Sequence, residues 1–131
     1  MAGPIHILAV DDDSVACELL REVLEQEGYQ VSTATTGQAA IDLAREVPFD
    51  LAIIDIRMPD ISGIEVLKAL KRANPQVPVL MTTAYSSMNT AIEAIREGAY
   101  DYLSKPCKVE ELTLTVERAL EQSKLVRENQ Y

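Results

Sequence analysis

The stretch "LAIIDIRMPDISG", Leu51 to Gly63, drives an apolar run into a single carboxylate, Asp55, and then breaks at Pro59 and Gly63. A short apolar run bounded by turn-forming residues reads as a strand buried on both faces. Asp is also common in the turns that end strands, so Asp55 alone proves nothing. Whether it does chemistry depends on what else reaches the same end of the sheet.

Comparable runs begin at Ile5 ("IHILAV"), Gln30 ("QVSTA"), Val77 ("VPVLMTT") and Tyr102 ("YLS"), predicting five strands with Leu51–Asp55 in the middle. Between them the apolar spacing turns helical. Val15, Leu19, Leu20, Val23 and Leu24 share one face and Gly28 supplies a stop. Ala39, Ala40, Leu43 and Ala44 repeat the pattern, as do Ile64, Leu67 and Leu70, then Ala91, Ile92, Ile95 and Ala99, then Leu112, Val116, Ala119 and Leu120. Strands alternating with helices predict a doubly wound α/β domain, a five-stranded parallel sheet covered on both faces by right-handed crossovers. In such folds the loops at the carboxyl ends of the strands form the functional edge.

Composition narrows the function. A chain of 131 residues with 47% apolar content suits one globular core. Twelve basic against 21 acidic residues, net charge -9, argue against binding nucleic acid or an anionic membrane directly. Cys17 and Cys107 match no metal or redox spacing and read as small, partly buried hydrophobes of a reducing compartment. The start "MAGPIHILAV" has neither the basic flank of a signal peptide nor the length to span a bilayer, so a cytoplasmic protein is expected.

The carboxyl edge collects Asp11, Asp12 and Asp13 after the first strand, Asp55 after the third, Thr83 after the fourth, and Lys105 with Pro106 after the fifth. Asp13 is also placed to cap the helix opening at Ser14. Asp11, Asp12 and Asp55 brought close together would repel one another unless a cation intervened. All-oxygen ligands of this kind predict Mg2+, with manganese able to substitute. A hard cation beside a carboxylate, a hydroxyl and a lysine is equipment for phosphoryl transfer. Asp55 is then the nucleophile, forming an aspartyl phosphate.

At these residues the chain resembles the receiver domains of two-component response regulators: "VDDD", "DIRMPDISG", "TTA" and "SKP" stand in that family's order and spacing over roughly residues 5 to 122. The resemblance implies a flavodoxin-like three-layer sandwich with strand order 2-1-3-4-5. It further implies that Asp12 and Asp55 ligate the metal directly, Asp11 through water and Arg57 through its backbone carbonyl. Thr83 and Lys105 would hold phosphoryl oxygens, Ala84 would leave room for the group, and Tyr102 would turn inward as Thr83 moves. Arg57 and Tyr85 would flank the path of the hydrolytic water, and the Lys105–Pro106 bond would be cis. Such a domain is not an enzyme acting on a separate substrate; it catalyses its own phosphorylation and dephosphorylation. Its phosphodonor would be a sensor histidine kinase. Cys107 departs from the large apolar residue many receivers carry there.

"AIEAIREGAYDYLSKP" and "ERALEQSKLVRENQY" look most like receivers of the nitrogen-regulation type, which precede a sigma-54-activating ATPase and a DNA-binding domain. No phosphate-binding glycine loop or basic patch stands in these residues, so the transcriptional effector is expected outside them. Residues 1–122 would form the receiver and 123–131 the start of a helical linker, with Leu112, Val116 and Ala119 beginning a stripe that continues to Val126; the stripe could support a homodimer or, at least as readily, pack on its own sheet. A second reading is open: "DDDSV" also fits the D-x-D-x-[TV] pattern of haloacid-dehalogenase-type Mg2+-dependent phosphatases, with Asp11 attacking and Asp13 as acid/base. That reading leaves Asp55 without a role. A flavin carrier of similar topology fits less well, since three aspartates would repel the flavin phosphate.

Overall fold

The computed structural model describes residues 4–84 and 88–129. Five strands and five helices alternate among them: β1 His6–Val10, α1 Ser14–Gln26, β2 Gln30–Ala34, α2 Gly37–Glu46, β3 Leu51–Asp55, α3 Gly63–Ala73, β4 Val79–Thr83, α4 Met88–Arg96, β5 Asp101–Ser104 and α5 Val109–Asn129. The sheet is parallel throughout and ordered β2-β1-β3-β4-β5. This is the doubly wound α/β sandwich that the sequence pattern and the resemblance predict.

Alternation along each central strand divides the core into two layers. Leu8, Val10, Ala52, Ile54, Val79 and Met81 face Ala40 of α2, Ile64, Val66, Leu67 and Leu70 of α3, and Ala94 of α4. Their neighbours Ile7, Leu51, Ile53 and Leu80 face Leu24 of α1 and Leu112, Val116 and Ala119 of α5. Because β3 and β4 are buried at every position, their side chains contribute on both faces, at ~2 kcal/mol for each large aliphatic group.

Local chemistry sets where the helices begin and end. Asp13 caps α1 by accepting the Val15 N–H at 2.9 Å, Thr36 caps α2, and Ser62 caps α3. Gly28 stops α1 as predicted: at φ 92° it turns the chain into the left-handed region, its own N–H reaching the Glu25 carbonyl while Tyr29 N–H reaches that of Leu24.

Two expectations shift, on α1 and α4. Of the apolar face of α1, Leu24 is buried, whereas Val15 and Leu19 are 64% and 59% exposed. On α4 the small residues Ala91 and Ala94 pack inward, while Ile92 and Ile95 are 43% and 45% exposed. Helical periodicity identifies residues that share a face, but the sheet covers only part of so wide a stripe. On α5 the stripe Leu112, Val116, Ala119 packs on its own sheet, and Ser123 is also buried, its hydroxyl donating to the Gln76 carbonyl at 3.1 Å. The Val126 side chain lies outside the described residues. The helix runs unbroken across position 122.

Candidate functional site

The sheet register assembles the site. Val10 pairs with Ile54, Asp55 with Thr82, and Thr83 with Ser104. Asp11, Asp55 and Lys105 therefore emerge side by side from β1, β3 and β5, around the end of β4. Asp11 is held by its own N–H donating to Ala34 of β2, and Lys105 by its N–H donating to the Thr83 carbonyl at 2.8 Å.

One carboxylate oxygen from each of Asp11, Asp12 and Asp55 lies within 4.8 Å of the others. Asp11 and Asp55 are 1% and 6% exposed, and Asp12 is open to solvent. The Lys105 ammonium donates to Asp55 Oδ2 at 2.9 Å and to Asp11 Oδ2, bridging the two buried carboxylates. Burial pulls the lysine pKa down, but hydrogen bonds and Coulombic attraction from Asp11 and Asp55 outweigh it and leave it above the ordinary 10.5. Their other oxygens are tied to backbone: Asp11 Oδ1 accepts the Asp13 N–H at 2.9 Å, and Asp55 Oδ1 accepts the Arg57 N–H at 3.1 Å. Three carboxyl groups gather around one ammonium, an excess of acidic over basic groups. That excess and the all-oxygen donor set fit a hard divalent cation such as Mg2+.

Of the remaining predicted residues, Thr83, Ala84 and Arg57 lie at the strand ends that carry this centre. Thr83 ends β4 and is 5% exposed; Ala84 follows it at the surface. Arg57 is exposed, at the start of the turn leaving β3. Lys105–Pro106 is cis. Tyr102 stands apart, half-buried against α4, where it lines a small apolar hollow with Ala91, Ile92 and Ile95. Tyr85 lies outside the described residues. Asp13 is occupied as a helix cap, so an acid/base role for it beside Asp11 has no support here.

Sequence reasoning missed two features. Gly63 brings the start of α3 so close to β3 that a Cβ there would lie 2.2 Å from the Asp55 carbonyl oxygen. A glycine where α3 must begin was the available signal. The second is a cleft of about 540 Å3 whose floor includes Asp11 and Lys105 and whose walls are Leu19, Leu20, Val23 and Val109. The surplus apolar residues of α1 were its only trace in the sequence.

Residues 7–117 match the family model described as "Response regulator receiver domain". The chain is 47% identical over 121 residues to the transcriptional regulatory protein ZraR of Klebsiella oxytoca, covering 92% of this chain and 27% of that protein's length. The crystal structure of a CheY-like response regulator receiver domain protein from Methanospirillum hungatei JF-1 superposes with a TM-score of 0.90 at 30% identity, covering 93% of this chain and 98% of that one. The solution structure of the beryllofluoride-activated NtrC4 receiver domain dimer gives 0.86 at 36% identity, covering 90% and 98%.

Proposed function

The chain belongs to the response regulator receiver domain family, and on that premise we propose that it accepts a phosphoryl group on Asp55 from the phosphohistidine of a sensor kinase. The phosphorylated state then controls a transcriptional effector of the sigma-54-activator type. The observation that carries this reading is the Lys105 ammonium bridging Asp55 and Asp11 beside Asp12.

Asp11, Asp12, Asp55 and the Arg57 carbonyl would hold Mg2+. When bound, that ion supplies neutralisation of the charge spread over the phosphoryl oxygens. Asp55, fixed at the end of a fully buried strand, presents an oxygen to phosphorus. As the new O–P bond forms, the P–N bond to the kinase imidazole breaks, and its electron pair returns to the ring nitrogen. Lys105 exchanges its contact with the Asp55 oxygen for one with a phosphoryl oxygen. Thr83 holds another, and Ala84 carries no bulk to obstruct the group. The apolar cleft that opens onto Asp11 and Lys105 suits the kinase segment bearing the histidine, because its exposed walls gain by burial when the reacting groups meet.

The switch surface lies on α4 and β5. When Thr83 moves toward the phosphoryl oxygens, Tyr102 turns inward, and the hollow it shares with Ile92 and Ile95 changes shape. These exposed isoleucines suit a homodimer that forms on phosphorylation, and α5 leads from this surface into the linker that starts at residue 123 and on toward an effector. Arg57, exposed at the turn that leaves β3, slows hydrolysis by obstructing water.

Incubation with Mg2+ and acetyl phosphate tests the reading. A protein-bound phosphoryl group that requires Mg2+ and is released by hydroxylamine is expected of an acyl phosphate. A hydroxylamine-resistant label would contradict it.

A further inference from the structure

Asp60 connects the turn that leaves the phosphoacceptor strand to a helix distant in sequence. Its Oδ1 accepts the Gly37 N–H at 2.8 Å and its Oδ2 accepts the Gln38 N–H at 3.0 Å. These are the opening amides of α2, and Thr36 Oγ1 takes that of Ala39. A carboxylate at this position satisfies amides that have no partner within the helix and complements the positive end of its dipole. The hydrogen bonds from Gln38 and Gly37 hold the Asp60 carboxyl below its ordinary range.

The turn is seated firmly against α2. A Cβ at Gly37 would lie 2.9 Å from a Val66 methyl group and 3.2 Å from the Ile61 carbonyl oxygen. At its neck, the Ile56 N–H donates to the Thr82 carbonyl at 2.9 Å, and the Gly63 N–H donates to the Ile56 carbonyl at 2.8 Å. Arg57 therefore lies between a hydrogen-bonded neck and the Asp60 clasp, and its N–H is spent on Asp55 Oδ1 at 3.1 Å.

We propose that Asp60 is a positioning residue for phosphoryl transfer: by clasping the opening amides of α2 it fixes the turn that carries the Arg57 carbonyl and so sets the affinity of the site for its divalent cation. The proposal rests on the reading of Asp55 as the Mg2+-dependent phosphoacceptor. Asp60 touches neither the cation nor the phosphoryl group, and it acts only through the turn.

Calorimetric titration with Mg2+ of the unmodified domain, Asp60→Ala, Asp60→Asn and Val77→Ala tests it, with the labelling rate from acetyl phosphate measured alongside. Val77 is buried at the opposite edge of the sheet, so its variant controls for lost stability alone. Asp60→Ala is expected to weaken Mg2+ binding about tenfold, the loss typical when a group supporting a metal ligand is removed. Asp60→Asn keeps one acceptor and should fall between. Labelling should slow at limiting Mg2+ and recover at saturation, a pattern that general destabilisation does not produce. If both Asp60 variants bind Mg2+ and label as Val77→Ala does, the positioning role is overturned while the reading of Asp55 stands. An unmodified domain that takes no label overturns that reading, and this proposal with it.

Discussion

Lys105 Nζ lies 2.9 Å from Asp55 Oδ2 and donates as well to Asp11, so a single ammonium holds two buried carboxylates from different strands. Before a metal or phosphoryl group arrives, this contact stabilises the site. In the proposed phosphorylation, the same lysine would already be within reach of the phosphoryl oxygens.

Lys105→Met should therefore destabilise the metal-free domain by ~2 kcal/mol. That is less than the ~3–5 kcal/mol of a fully buried broken pair, because the lysine side chain is 29% exposed. The lost ammonium leaves the carboxylates to a cation, so the melting temperature should rise more with Mg2+ than it does for the unmodified domain. In the latter, Mg2+ at a hundred times its dissociation constant contributes about 2.7 kcal/mol. Thermal melts in chelator and in Mg2+ check both effects; an equal Mg2+ response would contradict them.

Gly63→Ala should cost ~3 kcal/mol or more, because the added methyl carbon meets the Asp55 carbonyl oxygen at 2.2 Å and neither backbone can retreat without moving the other. Urea unfolding measures the loss. Any variant protein that still folds should bind Mg2+ more weakly, since the displaced strand end carries the proposed ligand Asp55.

The thiols predict a pH dependence. Burial first, then the Asp11 charge, raises the Cys17 pKa above 9.0, and burial followed by Glu111 does the same for Cys107. Above pH 9 the unfolded chain releases thiol protons that the folded chain keeps, so this contribution is complete below pH 9 and declines as pH rises through the folded values. At pH 8 a disulfide reagent should label the folded domain more slowly than the denatured chain. Cys107, half-buried, should react before Cys17, whose thiol donates to the Asp11 carbonyl at 3.3 Å.

Ile92 and Ile95 are exposed beside Tyr102, with which they line an apolar hollow. Ile95→Glu should leave folding and labelling unchanged but abolish the phosphorylation-dependent association of two copies. Sedimentation with and without phosphodonor, across concentrations spanning the dimer range, gives the answer. Identical association in both states of the unmodified domain would remove this face as the switch.

Much of this molecule was legible in its sequence. The strands were readable because a run such as Leu51–Ile54 is closed by turn residues at both ends, and the alternation with helices leaves little choice but a parallel sheet. Asp11, Asp12, Asp55 and Lys105 were readable because strand ends are the one part of such a sheet whose neighbours are set by topology. What was not legible depended on distance across the fold. Periodicity placed Leu19 and Ile95 on helical faces without revealing how much of each face the sheet covers. Asp60 after Pro59 looks like any turn aspartate, and nothing local announces that its partners are Gly37 and Gln38. The Leu112–Val116–Ala119 stripe of α5 served its own core, as a single short stripe does when a sheet is at hand.

The central claim, that Asp55 takes the phosphoryl group, is tested most directly by intact mass spectrometry of the unmodified domain and Asp55→Asn after incubation with Mg2+ and acetyl phosphate. A gain of one phosphoryl group by the unmodified domain, and none by Asp55→Asn, is the predicted result. Equal labelling of Asp55→Asn, carried on Asp11, would contradict it.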